Sequence, residues 1–217
     1  MSTAPKTARF RFGAMSRRAA LTGAALAAMG TLAACGASEG ANTAQGDMAM
    51  GADEGAKVTV IEYASVTCGH CAAWQEQVWP EFKSKYVDTN KVRYVFREFP
   101  TPPQDIAVAG FLIARCAGED KYFDVVHEIM ASQREWQAGV APRETLVRVA
   151  TGAGLSTEQF EQCVRDENAV AEMESRIQAG RDMGVTGTPT FFVNGTRVMD
   201  SSLENLSTVI DAELAKS

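Results

Sequence analysis

Two thiols three residues apart, Cys68 and Cys71, follow the β-branched apolar run Val58-Thr59-Val60-Ile61-Glu62-Tyr63-Ala64 and precede Ala72, Ala73, Trp74, Gln75 and Glu76, which a helix tolerates. That order reads as a strand delivering Cys68 to the first turn of a helix. Unpaired backbone N–H groups and the positive end of the helix dipole stabilise an anion there. Such sites bring a cysteine pKa from about 8.5 down to between about 3.5 and 7.5. Cys71 lies one turn along the same face, within disulfide reach of Cys68. His70 between them, when protonated, favours the Cys68 thiolate and makes it a better leaving group. The pair therefore points to thiol–disulfide exchange. Zinc asks for about four ligands, whereas the chain has five cysteines, two histidines (His70 and His127) and no second cluster. No metal and no cofactor is expected.

Positioning those sulfurs falls to the elements on either side. Lys57 to Tyr63 reads as the first strand, with Glu62 six residues before Cys68. Alternation turns Glu62 inward, where burial raises its pKa and lets it pass protons to and from Cys71; the competing reading leaves it facing solvent at a sheet edge. A helix over Gly69 to Tyr86 carries Cys71, Trp74, Val78, Trp79, Phe82 and Tyr86 on one stripe, kinked by Pro80. Lys91 to Phe99 reads as the second strand.

From Asp105 to about Met183 the apolar residues keep helical spacing, with a capping box expected at Ser156-x-x-Gln159. Four or five helices and no strand are expected there. Cys116 shares a helical face with Ile106, Ala109 and Ile113, and Cys163 with Phe160 and Val164. In an exported protein two such cysteines either form a structural disulfide or remain inert buried thiols. Asn194-Gly195 between apolar flanks signals a two-residue hairpin, and Leu203, Leu206, Ile210 and Leu214 mark an amphipathic closing helix.

Residues 1–34 hold Lys6, Arg9, Arg11, Arg17, Arg18, no acidic residue, and an apolar run from Ala19 to Ala34. This is the pattern of a signal peptide, too short and weakly hydrophobic for a membrane span. Leu32-Ala33-Ala34-Cys35 resembles the bacterial lipobox, which implies that Cys35 becomes a lipid-modified N-terminus; an ordinary small-residue cleavage site is the alternative. Ser16-Arg17-Arg18-Ala19-Ala20-Leu21 resembles a twin-arginine export signal without the usual large residue at Ala20. Without residues 1–34, Lys+Arg falls from 21 to 16 against 27 Asp+Glu, a net charge of −11, so no nucleic-acid partner is expected. Residues 35–56 have no apolar periodicity and read as a flexible tether in which Met48 and Met50 are filler.

Taken together, the strand before Cys68-Gly69-His70-Cys71, the placing of Glu62, the helical block and Gly187-Thr188-Pro189-Thr190 before a hairpin resemble the DsbA-like family of thioredoxin-fold proteins. The likeness covers roughly Lys57 to Ser217. It implies an α/β thioredoxin-like fold with a helical insertion between the second and third strands, made of residues 57–100 and 185–217 around an insertion at 101–184. It also implies that Pro189 is a cis-proline facing the disulfide and that Thr188 offers its backbone to substrate by strand addition. Gly69-His70 departs from the Pro-His of the best-known members and resembles protein disulfide isomerases.

The activity implied is exchange through a mixed disulfide with unfolded or cysteine-containing exported proteins, in the periplasm or cell envelope of a bacterium, Cys35 holding the protein at the membrane. One direction is an oxidase recharged by a membrane oxidase. The other is a reductase or isomerase kept reduced by a membrane electron carrier. A non-enzymatic lipid-anchored chaperone or binding protein is the third reading.

Overall fold

The computed structural model describes residues 44–216. Expectations for the signal peptide at 1–34, for Cys35 and for the first part of the tether lie outside the described residues.

Five strands form one mixed sheet in the order β1-β3-β2-β4-β5: β1 Met48–Gly51, β2 Thr59–Ala64, β3 Arg93–Glu98, β4 Thr190–Val193 and β5 Thr196–Val198. β3 runs parallel to β2, and the remaining pairs are antiparallel. Central β2 is buried along its whole length, as expected of a strand covered on both faces. Its alternation is therefore masked in the burial pattern, and Glu62 lies inside the protein rather than at a sheet edge.

The sheet contains one strand more than the sequence reading. Residues 48–51, assigned to the tether, pair with the outer edge of β3 from Met48↔Phe96 to Gly51↔Arg93. The free N–H and C=O row of β3 supplies the driving force, and β1's own Met and Ala residues hold little strand signal. Asp47 fixes the entry point by two bonds of 2.8 Å to the Nε and Nη2 of Arg97. Met48 is buried, so it is a packing residue, not filler. The helical block consequently falls between the third and fourth observed strands.

The helix expected over Gly69 to Tyr86 is divided: α1 spans Gly69–Gln77, α2 Trp79–Phe82, and Lys83–Val87 continues as a π turn. Pro80 has no N–H to give a preceding carbonyl, and it sits in the first turn of the new helix, where none is required. The stripe itself persists, with Cys71, Trp74, Trp79, Phe82 and Tyr86 buried.

Between β3 and β4 lie six helices rather than four or five: α3 Gln104–Cys116, α4 Glu119–Ala131, α5 Gln133–Gln137, α6 Pro142–Gly152, α7 Thr157–Cys163 and α8 Glu167–Asp182. The capping box forms at α7, where Ser156 Oγ accepts from Gln159 N at 3.1 Å and Gln159 Oε1 accepts from Ser156 N at 2.7 Å. The helices at 101–184 share one continuous buried cluster with the sheet instead of enclosing a core of their own. Cys116 and Cys163 are joined in a disulfide with Cα atoms 6.2 Å apart. Cys116 is exposed, not turned to the buried face expected from its spacing.

The hairpin between β4 and β5 turns at Asn194 (φ 46°) and Gly195 (φ 78°), the two positive φ values of a type I′ turn. The closing helix α9, Leu203–Ala215, buries Leu206 and Ile210. Among the described residues no helix is long and apolar enough to cross a membrane.

Candidate active site

β2 ends at Ala64, and four residues later Cys68 caps α1 with extended backbone, φ −83° and ψ 116°. Its Sγ accepts the Cys71 N–H at 3.2 Å. The loop between strand and helix is pinned by Ser65, whose Oγ accepts from Thr67 N at 3.3 Å and from Thr101 N at 3.1 Å. Thr67 Oγ1 donates to the Thr101 carbonyl at 2.8 Å. Gln133 on α5 reaches across from the helical block, its Nε2 donating to the carbonyls of Val66 at 2.8 Å and Cys68 at 3.2 Å. Gly110 on α3 permits the close approach that holds the loop from behind, since a Cβ there would lie 2.9 Å from Val66 Cγ2.

Cys68 is 9 % exposed and Cys71 is wholly buried, so what little of the pair a client sulfur can touch belongs to Cys68. Facing Cys68, the Thr188–Pro189 bond is cis, and the Cys68 thiol donates to the Thr188 carbonyl at 3.4 Å. All four sequence-derived residues Cys68, Cys71, Thr188 and Pro189 therefore meet at one end of the sheet.

Their environments drive the two thiols apart. Cys68 is lowered to about 6: the hydrogen bond from the Cys71 thiol is the main cause and burial opposes it, while the Thr188 side chain, distinct from the carbonyl that accepts from the neutral thiol, and the backbone N–H groups of Cys71 and His70 add to the lowering. Cys71 is pushed up, first by burial, then by that shared hydrogen bond and the negative charges of Glu62 and Cys68. The His70 side chain is exposed, and the His70 backbone N–H is among the groups that lower Cys68.

Glu62 is pushed up to about 8 by burial, with the Tyr94 hydrogen bond working against the rise and the Cys68 charge adding to it. An unfolded carboxyl ionises near 4.5 and this one near 8. Between those pH values the folded protein keeps a proton the unfolded chain has released, so Glu62 costs stability as pH rises through that window, by about 5 kcal/mol in all. Cys68, lowered from 9.0 to about 6, contributes in the opposite sense between those two values. The Glu62 part is isolated by comparison with Glu62→Gln. In urea melts the variant gains on the parent by several kcal/mol between pH 4.5 and 8, and a pH-independent difference would contradict the buried assignment.

Ser65, Thr101, Gln133 and Tyr94 were not singled out from the sequence. Tyr94 had a signal, a strand residue spaced to share a face with Phe96 opposite Glu62. Gln133 had none, because only tertiary packing brings α5 to the loop. Along the other side of α1 a cleft of about 710 Å³ runs between Gly69, Ala72 and Glu76 and the α4–α5 residues His127, Ala131 and Arg134.

A dithiol capping a helix at the end of a central strand, opposite a cis-proline loop, defines a thioredoxin-like protein. The family model described as thioredoxin matches residues 43–212, and the chain belongs to that family; the solved structures it is similar to include a DsbA protein. The structure is similar to alpha-DsbA1 of Wolbachia pipientis, with a TM-score of 0.74, 26% identity, and coverage of 82% of this chain and 96% of that one. It is similar in fold to oxidised BdbD of Bacillus subtilis, with a TM-score of 0.70, 17% identity, and coverage of 81% and 96%. In sequence it is 36% identical over 170 residues to a Rickettsia conorii protein provisionally named a protein-disulfide oxidoreductase, covering 77% of this chain. The chain spans about 60% of the length of that relative.

Proposed function

We propose that this protein is a cell-envelope thiol:disulfide oxidoreductase that forms disulfides in exported proteins by exchange through Cys68 and Cys71. The carrying observation is the asymmetry of the pair, with Cys68 at the helix cap, 3.2 Å from the Cys71 N–H and 3.4 Å from the Thr188 carbonyl, and Cys71 shut behind it. The name of the R. conorii relative and the likeness to alpha-DsbA1 point the same way.

In the oxidised protein a client thiolate attacks Cys68 Sγ, the Cys68–Cys71 bond breaks, and its electron pair goes to Cys71. Cys71 is a poor thiolate and takes a proton, which Glu62, mostly protonated at neutral pH, is suited to give. A second client thiolate then attacks the client sulfur of the mixed disulfide and expels Cys68, a good leaving group because its pKa is low. The products are an oxidised client and the dithiol protein, which a membrane oxidase recharges. Thr188 and Pro189 hold the client as an added strand beside Cys68.

The low Cys68 pKa stabilises the reduced form and so favours the oxidase direction. Equilibration of the Cys68/Cys71 couple against glutathione tests it. A potential near about −120 mV is expected of a strong oxidant, and one near about −270 mV would make the protein a reductant. Anchoring through Cys35 is part of the same proposal, and retention of Cys35→Ser in the membrane fraction would refute it.

A further inference from the structure

We propose that Tyr94 is a positioning residue for the exchange reaction, its hydroxyl holding the Glu62 carboxyl and stabilising the carboxylate left behind when a proton passes to Cys71. The proposal rests on exchange at Cys68 and Cys71 as set out above and adds a group to it that touches neither sulfur.

Tyr94 donates its O–H to Glu62 Oε2. Both side chains are sealed from solvent, Tyr94 at 0% and Glu62 at 2% exposure. The phenol cannot turn away, because its ring is wedged against Trp79 at 4.7 Å, Phe82 at 5.9 Å and Phe123 at 6.1 Å. Parallel pairing of β2 with β3 sets the reach: Val60 is opposite Tyr94 and Glu62 opposite Phe96, so the hydroxyl arrives at the carboxyl from two residues back along the strand.

The titratable groups acting on Glu62 are few. From the cap of α1 comes Cys68, from α1 itself Cys71, which shares a coulombic interaction with the carboxyl, and from β3 comes Tyr94. β4 sets only Phe191 opposite it, and Tyr122 on α4 acts on Tyr94 rather than on the carboxyl. No lysine or arginine is among them, so Tyr94 is the group that stabilises the ionised form.

When the client thiolate breaks the Cys68–Cys71 bond, the electron pair and a proton both arrive at Cys71, and Glu62 is left as a buried carboxylate. A hydrogen bond to a carboxylate is roughly twice as strong as one to a neutral acid. The Tyr94 bond therefore strengthens as the proton leaves, which lowers the barrier to its leaving. In the reverse direction the same bond holds the carboxylate ready to take the Cys71 proton. A phenylalanine at 94 fills the same space and withdraws only this support.

The test is Tyr94→Phe, Glu62→Gln and the double variant, followed by two measurements. The first is the infrared titration of the Glu62 carboxyl, its band assigned by its loss in Glu62→Gln. The second is the rate at which each oxidised protein consumes a dithiol peptide, normalised to peptide thiolate, across pH. In Tyr94→Phe the carboxyl midpoint rises by at least about one pH unit and the rate at pH 7 falls about tenfold. In the Glu62→Gln background the same change has no further effect on rate. A carboxyl midpoint unmoved by Tyr94→Phe, or an equal rate loss with and without Glu62, would overturn the inference. If the parent consumes no thiol at all, the exchange reading fails, and the carboxyl titration still decides whether Tyr94 tunes Glu62.

Discussion

Cys68→Ser abolishes thiol–disulfide exchange, whereas Cys71→Ser leaves a protein that captures clients and does not let them go. The two outcomes differ because the sulfurs differ. With Cys68 gone, the remaining thiol is wholly buried and held in its neutral form by that burial. It is neither reachable nor nucleophilic, and a hydroxyl at 68 cannot take its place, so activity falls to the uncatalysed background. With Cys71 gone, Cys68 keeps its cap and its Thr188 contact. Its thiolate attacks a disulfide in an oxidised client, one client sulfur leaves as a thiolate, and the mixed disulfide persists because the resolving sulfur is absent. Turnover of a model dithiol peptide reads the first effect, and a reductant-sensitive higher-mass band on a gel reads the second. Full activity of Cys68→Ser would end the proposed function.

How much of this site is legible in the sequence depends on how local the information is. Cys68, Cys71 and the strand before them are contiguous, and local pattern determines them. Glu62 was visible as a position but not as an environment: alternation along β2 leaves open whether the strand is central or at an edge, and only the pairing with β3 and β4 decides that. Residues 48–51 failed for a related reason, since an edge strand of Met, Ala and Gly borrows its order from the backbone of its neighbour and from the Asp47–Arg97 pair. Tyr94 and Gln133 act across 32 and 65 to 67 residues of sequence. Contacts of that kind have no period, and an ordinary core tyrosine or helix glutamine looks the same in the sequence.

Replacing Cys116 and Cys163 together by alanine is expected to lower stability by about 4 kcal/mol, the loop-entropy value for a bridge closing 47 residues. That is a large share of the roughly 5–15 kcal/mol by which a domain is ordinarily stable. It corresponds to a Tm lower by about 8–16 °C for a domain of this size. The bridge ties the last residue of α3 to the last residue of α7, and so closes the helical block onto the helix that backs the redox loop through Gly110. The loop itself is held by Ser65, Thr101 and Gln133, none of which the bridge touches. The Cys68 thiol of the double variant therefore still titrates near about 6 while the protein remains folded. Urea melts of parent and variant, with a thiol titration of each, separate the two effects. A variant within about 1 kcal/mol of the parent would mean that the cross-link restrains little of the unfolded chain. A shifted Cys68 titration would mean instead that the helical block sets the redox chemistry as well as the stability.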